Sequence, residues 1–220
     1  MVADTLSGRF ITLEGGEGVG KSTLQMALAN RLRAIGIEVV TTREPGGTPL
    51  AERIRELALR PPEDEAWSPM AEALLMNAAR SDHLDKLIRP ALAKGQWVIS
   101  DRFSDSTRVY QSVKGGVSQA ILLQIETSVI ADTRPSLTLV LDAPKTATDA
   151  RRTSRGAATD AFESRPDTFH EAVRSAFQAL VQTHPDRCRL IDAGQTAEQV
   201  AEAAWQEVES LLSAQRASAP

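Results

Sequence analysis

Residues 15–22 read Gly15-Gly16-Glu17-Gly18-Val19-Gly20-Lys21-Ser22, which is the spacing G-x-x-x-x-G-K-S. The stretch follows an apolar run at 10–13 and precedes apolar residues at helical spacing over 24–32. Glycines let backbone N–H groups converge on one anion, and the helix that follows aims the positive end of its dipole at the same point. This arrangement predicts a site for the phosphates of a nucleoside triphosphate.

Two side chains of this loop suit contact with a triphosphate. Lys21 can reach the β- and γ-phosphates, and the hydroxyl of Ser22 can ligate Mg²⁺. A glycine-rich turn that only links a strand to a helix is the alternative, but the flanking patterns favour phosphate binding. The loop leaves the reaction open, because switch proteins, motors, transporters and small-molecule kinases all share it.

The composition narrows the class of protein. At 220 residues and 42% hydrophobic content, the chain is predicted to form a single domain over 1–220, with frayed ends at 1–7 and 214–220. The net charge of −4 argues against a surface that binds nucleic acid. The chain has one cysteine, Cys188, no secretion signal at its start and no run of about 18 apolar residues, so we expect a cytoplasmic protein without a membrane span.

Short apolar runs alternate with helical patterns along the chain. Strands are predicted at 9–14, 37–42, 96–100, 137–142 and 188–192. Helices are predicted near 20–35, 48–59, 69–94, 104–131 with an interruption, 144–155, 166–183 and 196–214. The alternation predicts an α/β fold, a five-stranded parallel sheet with helices on both faces. Ligands bind such sheets outside the carboxyl ends of the strands, which selects 14–22, 43–48, 101–111, 142–165 and 192–196.

The second and third strands each end in charged residues. After the second strand, Arg43 and Glu44 precede a turn in which Thr48 is predicted to cap the next helix. These two charges either contact a ligand or form a solvated ion pair. After the third strand, Asp101 is suited to contact Mg²⁺ through water, and Arg102 is suited to bind a second phosphate with two hydrogen bonds. The alternative is that Asp101 and Arg102 form a structural ion pair.

Further polar residues follow on predicted helices. Ser106, Thr107, Tyr110 and Gln111 lie at helical spacing and would present hydroxyls and an amide to a ligand. On the helix from Pro69, Arg80 interrupts the apolar pattern and needs an acceptor, whereas His83 is interpreted as a structural residue. The basic stretch over 151–160 is either a mobile arginine flap over the reacting phosphates or a solvated loop.

Four ordered signatures resemble the bacterial thymidylate kinases, and the resemblance extends from about residue 9 to residue 212. They are Glu14 to Ser22, Thr42 to Thr48, Val98 to Arg102 followed by Tyr110-Gln111, and Arg134 to Asp142. The resemblance implies a P-loop NTPase fold, Mg²⁺ as cofactor and a homodimer. It also implies transfer of the γ-phosphoryl group of ATP to dTMP, which yields dTDP and ADP.

The resemblance assigns roles to individual residues. For ATP it implies Gly15, Gly16, Glu17, Gly18, Val19, Gly20, Lys21, Ser22, Thr23 and Arg151, with Ser22 and Asp101 at the metal. For dTMP it implies Glu14, Arg43, Glu44, Pro45, Met76, Arg80, Arg102, Ser106, Thr107, Tyr110 and Gln111. The implied catalytic residues are Lys21, Arg102, Arg155 and Glu14. Arg102, with Arg43 behind it, would grip the dTMP phosphate, and residues 151–165 would form the lid that carries the catalytic Arg155.

Two positions depart from the pattern of the family. Met76 stands where many relatives carry a phenylalanine that stacks on thymine, and Ala161 stands where many carry an arginine. Arg155, with Arg151, is therefore expected to supply more of the positive charge, and Arg165 is a candidate to compensate.

Three functions remain to be compared. A dTMP kinase fits all four signatures, and a P-loop kinase for another pyrimidine monophosphate or a deoxynucleoside stays open because of Met76. A nucleotide-dependent switch is disfavoured, because arginines at three separate strand ends suit two phosphate-bearing ligands rather than one: 43, 102 and 155.

Overall fold

Five parallel strands form the centre of the computed structural model, which describes residues 8–62, 65–155 and 160–217. The strands are β1 (Phe10–Gly15), β2 (Val39–Arg43), β3 (Trp97–Asp101), β4 (Leu137–Asp142) and β5 (Cys188–Asp192). Their spatial order is β2-β3-β1-β4-β5, and all neighbouring pairs are parallel. The predicted five-stranded parallel sheet is confirmed, and each strand lies within two residues of its predicted bounds.

Helices connect the strands. In the described ranges the α-helices are α1 (Lys21–Ala34), α2 (Pro49–Leu59), α3 (Pro69–His83), α4 (Arg89–Ala93), α5 (Ser104–Tyr110), α6 (Gln119–Ile130), α7 (Lys145–Arg155), α8 (Asp167–Thr183) and α9 (Ala197–Ala217). None of these described helices is long and apolar enough to cross a membrane.

Apart from shifts of one residue, the described helix boundaries differ from prediction at two places. The single helix predicted over 69–94 is divided by a π-helical turn, Leu84–Ile88, because Pro90 has no N–H for the regular hydrogen-bond ladder. Helix α9 continues to Ala217, past the predicted end at 214, whereas residues 1–7 and 218–220 lie outside the described part of the chain.

The alternation of side chains along the strands divides the core into two layers. On one face of β1, Ile11 and Leu13 pack in a cluster with residues of α1 and α9. On the other face, Phe10 packs with Leu84 and with Ile130 of α6. Because both faces are buried, the strands keep one register, and their carboxyl ends meet along a single edge of the sheet.

Candidate active site

The loop between β1 and α1 depends on glycine for its shape. At Gly15 the backbone φ is 131°, and a Cβ there would lie 2.4 Å from the carbonyl oxygen of Leu141. Gly20, which precedes the first residue of α1, has a φ of 97°. Residues with side chains rarely adopt these angles, so the glycines let the loop fold back over the start of α1.

The polar groups of the loop face one cleft, here called the phosphate cleft. The ammonium of Lys21 donates a hydrogen bond to the carbonyl of Gly16 at 2.8 Å. Burial lowers the pKa of Lys21, because a charged amine loses water there. Ser22 donates to Asp101 at 3.0 Å, so the two predicted metal ligands are neighbours. The cleft is lined by Glu17, Gly18, Gly20, Lys21, Ser22, Thr23, Arg43, Glu44, Arg55, Asp101, Arg102 and Arg151.

A second cavity, here called the acceptor cavity, adjoins the phosphate cleft. Its lining consists of Glu17, Glu44, Pro45, Arg55, Leu59, Met76, Arg80, Arg102, Phe103, Ser106, Thr107, Tyr110, Gln111, Asp160 and Phe162. Most of the residues predicted for dTMP are therefore brought together around one space. Because Glu17, Glu44, Arg55 and Arg102 line both spaces, ligands placed in the two would meet at these side chains.

Arg102 lies where the two spaces meet. Its backbone φ of 71° is in the left-handed region, a strained conformation that is common at functional sites. The guanidinium donates to Glu17 at 2.6 Å, to the carbonyl of Gly15 at 2.9 Å, and to Ser106 and Tyr110 at 3.1 Å each. Burial alone would lower the pKa of Arg102, but the Glu17 carboxylate and neighbouring groups raise it above its ordinary value, so the side chain stays cationic.

A buried ion pair holds Arg80 beside the acceptor cavity. Its Nε donates to Glu44 at 2.7 Å, and its Nη2 donates to the hydroxyl of Thr107 at 3.0 Å. Glu44 also lies 3.0 Å from Nδ1 of His83, whose Nε2 lies 2.7 Å from the hydroxyl of Thr42. The described hydrogen bonds use four of the five N–H donors of Arg80, so one is available to a ligand. The buried contacts of His83 agree with the structural role predicted for it.

The alternative of a solvated pair between Arg43 and Glu44 is wrong. Glu44 is buried against Arg80, whereas Arg43 is half exposed and pairs with Glu52 at 3.0 Å. Adjacent residues of an extended segment point in opposite directions, so the two charges find partners on different elements. Arg43 lines the phosphate cleft together with Arg102 but does not line the acceptor cavity, and its predicted role at the dTMP phosphate stays a prediction.

Glu14 is fully buried under the first turn of α5. Its carboxylate accepts hydrogen bonds from the backbone N–H of Phe103 at 2.8 Å and from the hydroxyl of Ser106 at 2.5 Å. Burial, assisted by the charge of Asp105, raises the pKa of Glu14 to about 8. Glu14 does not line the acceptor cavity itself and is connected to it through Ser106, so its predicted contact with dTMP stays a prediction.

The predicted lid is described in part. Arg151 of α7 donates to the carbonyls of Ala193 at 2.9 Å and Val19 at 3.4 Å, so it bridges two strand-end loops at the phosphate cleft. Arg155 is the last residue of α7, but its side chain and residues 156–159 lie outside the described part of the structure, so its role stays a prediction. Arg165 is paired with Glu72 and does not line the phosphate cleft, and its suggested compensation for Ala161 stays a prediction.

Five residues of the acceptor cavity were missed among the site residues predicted from the sequence: Arg55, Leu59, Phe103, Asp160 and Phe162. Arg55 donates to the carbonyl of Pro45 at 2.9 Å, and burial lowers the pKa of its guanidinium. A signal was present, because Arg55 is at helical spacing from the buried residues Ala51 and Ala58. Phe162 follows the basic flap in the sequence, and no local pattern indicates which space its ring enters.

The fold and the two adjoining spaces define a P-loop kinase, with one site for a triphosphate and another for a phosphorylated acceptor. A family model described as thymidylate kinase matches residues 13–204. The chain belongs to the thymidylate kinase family, as the sequence signatures predicted.

Individual relatives agree with this assignment. The chain is 53% identical to the thymidylate kinase of Pseudomonas fluorescens strain SBW25 over 190 residues, which cover 86% of this chain and 90% of that protein. It is 47% identical to that of Rhodopseudomonas palustris strain TIE-1 over 218 residues, which cover 98% of this chain and 95% of that one. The crystal structure of thymidylate kinase from Ehrlichia chaffeensis matches with a TM-score of 0.74 at 31% identity, covering 92% of this chain and 99% of that chain. The predicted fold is confirmed.

Proposed function

We propose that this chain transfers the γ-phosphoryl group of ATP to dTMP and so produces dTDP and ADP. The observation that carries the proposal is the shared wall of the two spaces, where Arg102 and Arg55 line both. Phosphoryl transfer depends on positioning and charge neutralisation more than on covalent chemistry. The acceptor phosphate is largely ionised at neutral pH, so the site needs no strong general base.

Lys21 and the loop N–H groups bind the β- and γ-phosphates of ATP. Ser22 and Asp101 would hold Mg²⁺, because their hydroxyl and carboxylate oxygens are the kind of ligand that this cation prefers. When bound, the ion would neutralise charge on the phosphates. Arg151 and Arg155 add positive charge from α7. We propose that the enzyme acts in the cytoplasm, because its donor ATP is available there.

The dTMP phosphate binds Arg102 and Arg55 at the mouth of the acceptor cavity. The Glu17 carboxylate lies 2.6 Å from the guanidinium of Arg102. The dTMP phosphate displaces this carboxylate from Arg102 when it binds. A phosphate with nearly two negative charges competes well with a single carboxylate for the same guanidinium. Deeper in the cavity, the remaining N–H of Arg80 donates to a carbonyl oxygen of thymine, beside Thr107.

The functional unit is proposed to be a homodimer. Met70 and Leu74 of α3 are exposed and lie one helical turn apart, and the neighbouring α2 exposes Leu57. Large apolar side chains grouped on packed helices favour contact with a second copy. In sedimentation experiments, L74E should shift the protein to a monomer. L190E is the matched control, because Leu190 is similarly exposed but lies on β5 and not on α2 or α3, and it should leave the dimer intact.

A coupled assay of ADP release over several acceptors tests the proposed reaction. We expect rapid ADP release with dTMP, less with dUMP and thymidine, and a loss of activity when EDTA removes Mg²⁺. Turnover of dUMP or thymidine without turnover of dTMP would favour the other small-molecule kinase, and slow hydrolysis that no acceptor stimulates would favour a switch.

A matched pair of variants tests the acceptor phosphate site. R55M should raise the KM for dTMP at least about tenfold, because removal of a charge-assisted contact costs about 1.5–3 kcal/mol. R53M should leave it unchanged, since Arg53 is exposed on the same helix and pairs only with the exposed Glu56 at 3.4 Å in the described structure. Equal effects of the two variants would contradict the role of Arg55.

A further inference from the structure

The acceptor cavity has one apolar wall that comes from the segment after α7. Phe162 is 6% exposed and lines the cavity together with Met76 and Leu59. Its ring meets the ring of Tyr110 edge to face, with centroids 5.8 Å apart. The same cavity carries Arg80 and polar side chains of α5, so it combines an apolar surface with hydrogen-bonding groups.

The backbone around Phe162 is anchored on both sides. The N–H of Ala161 donates to the carbonyl of Leu59 at 3.1 Å, which attaches the segment to the end of α2. The carboxylate of Asp160 accepts from the N–H groups of Phe162 and Glu163, each at 2.9 Å. These bonds hold the segment in one turn, so the position of the ring is defined before any ligand arrives.

The ring itself is held by Arg165. The guanidinium lies 4.4 Å from the ring centroid of Phe162 and 4.6 Å from that of Phe169. Arg165 also pairs with Glu72, and Glu72 accepts a hydrogen bond from Gln111 at 2.7 Å. Because Gln111 lines the acceptor cavity too, this chain of contacts fixes Phe162 relative to a polar group of the cavity.

The other aromatic rings of the cavity support its arginines. The guanidinium of Arg80 lies 5.3 Å from the ring centroid of Phe103, and that of Arg102 lies 4.9 Å from the centroid of Tyr110. The ring of Phe162, in contrast, contacts Arg165, which lies outside the phosphate cleft and pairs with Glu72. Its ring and Met76 thus supply apolar surface where a flat base would lie, and a ring has a more defined shape than a thioether chain.

We propose that Phe162 packs against the pyrimidine ring of the acceptor nucleotide and is a specificity-determining residue, a role that rests on the proposed dTMP kinase activity. The aromatic surface that Met76 does not provide is then supplied by a residue from a different part of the chain, after the lid. A ring there favours a planar base and leaves the phosphate contacts at Arg102 unaffected.

Kinetic comparison of two substitutions tests this role. F162L should raise the KM for dTMP about fivefold to tenfold, the range expected when an aromatic ring no longer packs on the base, and leave kcat and the KM for ATP within about twofold. F169L is the control, because Phe169 also contacts Arg165 and Tyr110 but lines a neighbouring cavity. The inference is overturned if F162L keeps the wild-type KM for dTMP or if F169L raises it equally.

A fluorescent reporter keeps the test decisive if F162L folds poorly. F162W should change its emission when dTMP is titrated in, after subtraction of the response of the wild-type tryptophans, and F169W should not. No change for F162W overturns the inference. The wild-type protein is assayed alongside. If it does not phosphorylate dTMP, the proposed function and the inference are both wrong. If it does, but F162L keeps the wild-type KM for dTMP and the emission of F162W does not respond to dTMP, only the inference is wrong.

Discussion

Replacement of Glu44 by glutamine tests the buried ion pair that positions Arg80. Glu44 and Arg80 are each 3% exposed, with 2.7 Å between Oε2 and Nε. Glutamine keeps the shape and one oxygen acceptor, but it removes the negative charge. The guanidinium of Arg80 then remains buried with hydrogen bonds to Thr107 and to the carbonyl of Phe103 and without this counter-ion.

The size of the effect follows from burial. Removal of one partner of a buried ion pair costs about 3–5 kcal/mol, because the other charge stays desolvated. Since the amide retains hydrogen bonding, we expect E44Q to lose about 3 kcal/mol of unfolding free energy. A protein of this length loses about 2–4 °C of Tm per kcal/mol, so the Tm should fall by about 6–12 °C. The KM for dTMP should rise more than kcat falls, because the proposed partner of Arg80 is the base and not the phosphates.

Thermal and urea unfolding, followed by circular dichroism, measure this loss. The control is E202Q, which removes the exposed pair between Arg31 and Glu202 at 2.9 Å and should cost less than about 1 kcal/mol. If E44Q loses no more stability than E202Q, or if its KM for dTMP is that of the wild type, the argument from burial is refuted.

Three further substitutions address the reaction and its pH dependence. K21A should lower kcat by about 10²–10³-fold with little change in Tm, and near-normal turnover would contradict the assignment of the phosphate loop. R155A should lower kcat more than it raises the KM for dTMP, whereas the reverse pattern would make Arg155 only a binding residue. Burial raises the pKa of Glu14 to about 8 from an ordinary value of 4.5, so between these values the folded protein keeps a proton that the unfolded chain releases. Stability should therefore fall as the pH rises through this window, by up to about 1.4 kcal/mol per pH unit, and E14Q should lack this fall. Urea unfolding between pH 5 and pH 8 compares the two proteins, and equal pH slopes would contradict the buried, protonated state.

Much of the fold was readable from local patterns. The strand at 137–142 and the strand at 188–192 have the predicted bounds, because each is a short apolar run between polar segments. Thr48 caps α2 as predicted, since its hydroxyl accepts from the N–H of Ala51 at 3.3 Å. The break in the long helix predicted over 69–94 was missed. Pro90 lies among helix-forming residues, and the local sequence does not distinguish a kink within one helix from the first turn of a new helix.

The partners of charged side chains were less predictable. Glu44 was next to Arg43 in sequence, yet its carboxylate pairs with Arg80, 36 residues away along the chain. The described side chain of Arg165 likewise pairs with Glu72, 93 residues away. Such choices depend on which side chains several helices bring to one place, and neighbouring residues carry no signal for that.

The sequence alone determined the phosphate loop, the parallel sheet and the family. Glycine spacing and hydrophobic periodicity act within a few residues of the chain, so they can be read without knowledge of the rest. Only the tertiary structure decided that Arg55 and Phe162 line the acceptor cavity, that Glu14 is buried behind Ser106, and that Glu17 neutralises Arg102. These contacts join residues from separate elements, and their energies depend on burial and distance, which exist only once the helices have packed on the sheet.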